Sequence, residues 1–234
     1  MSNSVAQTVE ERLVRVTAGP VGLDGNLSLP EGSRAVVLFA HGSGSSRHSS
    51  RNRDVARLLN EAGLATLLID LLTPDEEAID ACTADLRFDI DLLAERLVAA
   101  TDWLTQYPDT ENLPIGYFGA STGAAAALVA AAERPDVVGA DVSRGGRPDL
   151  AGPALTRVRA PTLLVVGGDD VQVIELNRAA LARLRCEKQL VIVPGATHLF
   201  EEPGALDEVA LLAREWFHRH LTPGMRHAAG TQHG

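Results

Sequence analysis

The sequence predicts an α/β protein, a mostly parallel sheet with helices on both faces. Three observations carry this expectation. Short apolar runs alternate with segments of 3.6-residue periodicity from Arg34 to His220, and strand–helix–strand repeats of that kind build parallel sheets. The runs are continuous rather than alternating in polarity, as strands buried on both faces should be. The first thirty residues differ: VRVTAG followed by VGLDGNLSLP reads as an antiparallel hairpin at the sheet edge.

The elements follow in order. After the hairpin, AVVLFA (35–40) is a strand. The loop HGSGSSRHSSRN, His41 to Asn52, leads into a helix whose stripe is Val55, Leu58, Leu59 and Ala62. ATLLID (65–70) is the next strand, followed by an insertion, Leu71 to Asp85, expected to wall the site. Leu86, Ile90, Leu93, Leu97 and Leu104 form a second helical stripe. IGYFGA (115–120) is a strand running into an alanine-rich helix. VVGADV (137–142), TLLVVG (162–167) and LVIVPG (190–195) complete the runs. Leu206, Val209, Ala213, Trp216 and Phe217 face inward on the last helix. Val142 to Ala160 is too short to hold an amphipathic lid. Residues 1–221 read as one domain. Residues 222–234, with Pro223 and no apolar period, read as a flexible tail.

Composition excludes several functions. The net charge of -10 argues against nucleic acid or an anionic membrane as partner, since both call for a basic surface. Lys188 is the only lysine, which removes a Walker-type phosphate loop and an obvious Schiff base. No apolar run approaches the ~18 residues of a membrane span, and the N-terminal segment shows no secretory h-region. Cys82 and Cys186 make neither a disulfide framework nor a zinc site, so a cytoplasmic location without metal or cofactor is expected. His218 and His220, two apart on a helix, face different ways and are a poor metal pair. His227 and His233 fall in the tail and are expected to be exposed.

Chemistry concentrates in IGYFGASTGAAAAL. Gly119-Ala120-Ser121-Thr122-Gly123 is G-x-S-x-G, placed between an apolar strand and a helix as the motif requires. The serine must sit on a turn so sharp that side chains at Gly119 and Gly123 would collide with their neighbours. Its hydroxyl is then exposed at a helix N-terminus, where the Thr122 N–H faces a developing oxyanion. The plainer alternative is a Ser N-cap between small residues.

A serine hydroxyl needs a base. His198 lies just past the last apolar strand, at the carboxyl edge where open α/β sheets place their sites. His41 also follows a strand, but it precedes the nucleophile and reads as a structural histidine holding its loop. Asp169 and Asp170 end the strand before the histidine strand, which yields the order Ser, Asp, His. Asp170 is favoured to orient the base and Asp141 is the outsider. The second oxyanion donor is assigned to the Ser43 amide, with Gly44 as fallback. Arg87 and Arg144 are candidates to contact a substrate carboxylate, or else surface ion pairs.

The segments AVVLFAHGSGSSRHS, GYFGASTGAAAAL, SRGGRPDLAG, TLLVVGGDDVQVIELN and VPGATHLFEEPG together resemble the dienelactone hydrolase family of the α/β-hydrolase superfamily. The resemblance covers roughly residues 12 to 221. It implies a sheet of about eight strands without a lid domain, and a nucleophile, acid and base at Ser121, Asp170 and His198. The name-giving enzymes use a cysteine nucleophile, so Ser121 points to the esterase-like members. Members fused to a phosphoribosyltransferase domain also occur. The expected activity is hydrolysis of a small-molecule ester or lactone. Acyl transfer on the same triad, or a non-catalytic scaffold that binds a ligand or partner, are the alternatives.

Overall fold

Each apolar run becomes a strand because the sheet buries it on both sides. The computed structural model describes residues 9–222. The hairpin forms β1 (Val9–Ala18) and β2 (Val21–Pro30), paired antiparallel over their whole length. β3 (Val36–Ala40), β4 (Ala65–Ile69), β5 (Ile115–Ala120) and β7 (Thr162–Gly167) are buried at every residue. β6 spans Val138–Arg144 and β8 spans Lys188–Val193. The eight strands form one sheet in the order β1-β2-β4-β3-β5-β6-β7-β8. β2 runs antiparallel to both its neighbours, and β3 to β8 are mutually parallel.

Helices close both faces. α1 (Ser50–Glu61) and α6 (Ala205–Leu221) cover one face, burying Val55, Leu59, Val209, Trp216 and Phe217 against Phe39, Phe118 and Val142. α3 (Ile90–Leu104) and α4 (Thr122–Glu133) cover the other, where Leu93, Leu97 and Leu128 meet Leu38, Tyr117 and Leu164. α5 (Val171–Arg183) packs beside β7 and β8 on that side. Eleven of the twelve α4 residues are buried. That explains its alanines: a helix enclosed all round, close to the sheet, has room only for small side chains.

Several boundaries differ from the sequence reading. β6 runs two residues further than VVGADV and so carries Arg144 to the carboxyl edge. β8 starts and ends two residues early. Leu86 is not on α3; it sits in a 3-10 turn, Leu86–Phe88, and Asp89 caps the helix by accepting from the Leu92 N–H at 3.0 Å. The insertion after β4 contains a helix, α2 (Pro74–Thr83), which the sequence reading passed over. Its signal was present as Thr73-Pro74-Asp75-Glu76. Thr73 Oγ1 accepts from the Glu76 N–H at 3.2 Å and Glu76 Oε2 accepts from the Thr73 N–H at 2.8 Å, a reciprocal cap. The segment after β6 forms 3-10 turns over Pro148–Thr156, kinked at Gly152. It packs on α4 and α5 and builds no lid.

The chain order reverses at β3, which lies between β4 and β5. Loops leaving β3 and β5 therefore diverge to opposite faces and open a crevice at their carboxyl ends. The expected tail lies outside the described residues, apart from Thr222.

Candidate active site

Ser121 joins β5 to α4 with φ 51 and ψ -123. A serine held there stores strain on the order of 1–3 kcal/mol. The surrounding packing enforces it. A Cβ on Gly119 would stand 2.4 Å from Ala124 Cα, and one on Gly123 would stand 2.3 Å from the Ala40 carbonyl oxygen. The two glycines thus let α4 start directly against β3 and β5. The Ser121 N–H donates to the Arg144 carbonyl at 3.3 Å, and its own carbonyl accepts from the Arg147 N–H at 3.0 Å.

His198 and Asp170 meet across two loops that touch backbone to backbone. A Cβ on Gly167 would stand 2.4 Å from the Ala196 carbonyl oxygen. This closeness brings His198 Nδ1 to 2.6 Å from Asp170 Oδ2. Asp170 is mostly buried and His198 is partly exposed. Asp169 is exposed and uses its N–H to bind the Ala196 carbonyl at 3.0 Å. Asp141 is not a partner of the histidine. It lies at 0% exposure beside Tyr117 and Thr162, with neither carboxyl oxygen hydrogen-bonded among the described residues. Burial pushes its pKa up to about 8.

The turn that carries His198 has its own supports, which the sequence reading did not single out. Thr197 donates through Oγ1 to Glu202 Oε1 at 2.7 Å and through its N–H to Oε2 at 3.0 Å. Those bonds hold the Glu202 carboxyl below its usual pKa. Phe200, at φ 56 and 2% exposure, pins the turn into the core. Only the tertiary fold shows that Gly145, at φ 51, is needed: a Cβ there would stand 3.0 Å from the His198 carbonyl oxygen. Ser121 is not hydrogen-bonded to His198 among the described residues. The two meet through Arg144 and Gly145, which touch one each.

The loop after β3 lies against the serine, since a Cβ on Gly42 would stand 2.9 Å from Ser121 Cβ. The Ser43 N–H, assigned from the sequence as an oxyanion donor, is not free here. It donates to Thr122 Oγ1 at 3.0 Å, so the side chain of one assigned donor residue holds the amide of the other. His41 holds this loop, as its position suggested. Its Nδ1 donates to the Gly42 carbonyl and its Nε2 accepts from the Leu71 N–H, each at 3.0 Å. Burial lowers its pKa, keeping it neutral.

A cavity of about 320 Å³ opens beside Ser43 and Thr122, walled by Leu72, Glu77 and Ala81 from the α2 region and by Leu93. Glu77 is shifted up by burial and by Asp70. Arg87 lines the cavity but is clamped by Asp80. Its Nε donates to Asp80 Oδ2 at 2.6 Å and its Nη2 to the Asp80 carbonyl at 2.8 Å, leaving Nη1 toward Gly44. Arg144 lies elsewhere, on the α1 face, at 8% exposure. The two arginines named together from the sequence do not share a pocket.

Sheet order, elbow and edge loops are those of an α/β hydrolase. The chain matches the dienelactone hydrolase family over residues 23–221 and belongs to that family. A solved dienelactone hydrolase from Anabaena variabilis is 65% identical, covering 91% of this chain and 99% of its own, with a TM-score of 0.90. Est1E from Butyrivibrio proteoclasticus shares the fold at 17% identity, with a TM-score of 0.73 over 88% of this chain and 98% of its own. A Mycobacterium tuberculosis protein that carries a phosphoribosyl transferase name is 62% identical over 208 residues, 89% of this chain. The chain spans 46% of that relative's length. No helix among the described residues is long and apolar enough to cross a membrane.

Proposed function

We propose that this chain is a serine hydrolase that cleaves small carboxylic esters or lactones through an acyl-enzyme on Ser121. The observation that carries the reading is the 2.6 Å bond between His198 Nδ1 and Asp170 Oδ2 at the same sheet edge as the strained Ser121 elbow. Asp170 orients His198 so that Nε2 is the basic nitrogen, and stabilises the imidazolium that forms. His198 takes the Ser121 proton as Oγ attacks the carbonyl carbon. The leaving alcohol receives that proton. Water, deprotonated by His198, then releases the acyl group.

The N–H of Thr122, at the start of α4, binds the tetrahedral oxyanion. The Ser43 N–H joins it once the oxyanion competes with Thr122 Oγ1 for that donor. The cavity beside Ser43 receives one arm of the substrate, and the Nη1 of Arg87 is the cationic group there for a substrate carboxylate.

A fluorophosphonate probe tests the reading directly. The wild-type chain should be labelled at Ser121, and Ser121→Ala should fold normally, escape labelling and lose turnover of 4-nitrophenyl acetate. Labelling elsewhere, or turnover kept by Ser121→Ala, removes the assignment.

A further inference from the structure

The carboxyl edge holds a second polar cluster, on the face away from the α2 cavity. Arg144 ends β6 and turns its side chain to the α1 face, as Ala140 and Val142 do before it. Its Nη2 donates to Asn52 Oδ1, in the first turn of α1, at 3.4 Å. That long bond is its only one among the described residues; Nε and Nη1 are buried without a partner. Arg51 stands beside it. Burial and the charge of Arg51 pull the Arg144 pKa down to about 10. The Nε of Arg51 is likewise buried without a partner, while its Nη1 reaches Glu201 at 3.2 Å.

Burying a guanidinium without a counter-charge is costly. Here Arg144 is buried with no carboxylate partner among the described residues, beside a second guanidinium, Arg51, that is one-third exposed and bridged to Glu201, at the helix end whose dipole adds further positive potential. Yet the chain carries 31 acidic residues against 21 basic ones, so carboxylates to pair with them were plentiful. The cluster also borders the reacting groups. The Arg144 carbonyl accepts from the Ser121 N–H, Gly145 abuts His198, and Glu201 belongs to the His198 turn.

We propose that Arg51, Arg144 and the first turn of α1 form a subsite for a compact oxyanion, a carboxylate or phosphate group carried by the substrate. This rests on the hydrolase reading above. The planar forks of the two guanidinium groups match such an anion, whose oxygens would take the three unpartnered N–H groups. Binding of that group places the scissile carbonyl at Ser121 from the α1 side, opposite the α2 cavity.

The test compares mono-4-nitrophenyl glutarate, an anionic ester, with neutral 4-nitrophenyl pentanoate. In the wild type the ratio of kcat/KM, anionic over neutral, should be about tenfold or more, and it should fall about tenfold in Arg51→Gln and in Arg144→Gln. Arg53→Gln, an exposed arginine one residue beyond Asn52, should keep the ratio. Should Arg144→Gln fail to fold, Arg51→Gln decides, because its side chain is one-third exposed. A wild-type ratio near one, or a ratio that survives both substitutions, overturns the subsite. If the wild type hydrolyses neither ester, the hydrolase reading has failed, and thermal melts with glutarate or inorganic phosphate decide the subsite alone. Stabilisation of the wild type that Arg51→Gln lacks supports it, and the effective anion names the group. Equal shifts, or none, overturn it.

Discussion

Two neighbouring aspartates show how much a single position matters. Asp169 and Asp170 have the same chemistry and adjacent places in the chain, but one points to water and the other to His198. Asp170→Asn should therefore lower kcat by about 10⁴-fold, because an amide at that place favours the wrong imidazole tautomer. Asp169→Asn should change kcat little. Ester turnover of the two purified variants checks this, and a crippled Asp169→Asn would reassign the orienting acid. The serine turn, and the choice of Asp170 over Asp169 as the neighbour of His198, were legible from motif and order. The Thr122 hydroxyl on the Ser43 amide was not, because 79 residues separate the partners and neither type demands the other.

At the level of elements, the site is open on top and narrow at the side. The 3-10 turns over Pro148–Thr156 pack back on α4 and α5, so nothing from that connection covers Ser121. α2 walls a cavity of only about 320 Å³. Each buried methylene is worth about 0.8 kcal/mol, and a long acyl chain would leave most of its methylenes in water. The proposed hydrolase should prefer short acyl chains and show no jump in rate at a lipid–water interface. kcat/KM across 4-nitrophenyl esters of increasing chain length, below and above their aggregation threshold, measures both. A long-chain optimum or a sharp rise at the threshold would mean that α2 moves as a cover. The sequence showed that Leu71 to Asp85 was an insertion at the catalytic edge. Its helix was missed because its apolar periodicity is weak: of its ten residues only Asp80 is buried, clamping Arg87.

At the scale of the whole molecule, Asp141 makes stability depend on pH. Its carboxyl is raised from 3.8 to about 8 by burial in the sheet. Between those values the folded chain holds a proton that the unfolded chain has released. Stability therefore falls as pH rises through that window and levels off above it, at about 1.4 kcal/mol per unit of pKa difference. Asp141→Asn is neutral at every pH and of similar size. Its melting temperature should match the wild type near pH 4 and exceed it progressively toward pH 8. Parallel melting curves across that range would show that Asp141 is ionised in the fold or has a partner.

The sequence by itself determined the α/β class, the hairpin at the edge, the chain order of Ser121, Asp170 and His198, and the want of room for a lid. These follow from local signals: apolar runs, periodicity, glycines around one serine, and the length of a connection. Tertiary structure alone decided which residues meet. Arg87 and Arg144 both lie near the sheet's carboxyl edge, yet they reach different faces, because one sits in a turn packed on α2 and the other ends a strand whose alternate residues face α1. Likewise Gly145 and Gly167 carry no signal in the sequence, the one in a loop and the other ending the TLLVVG run. They become necessary only where the backbones of the β6, β7 and β8 loops approach closely enough to exclude a Cβ. Such contacts arise from pairing across the sheet, which residue order alone does not encode locally.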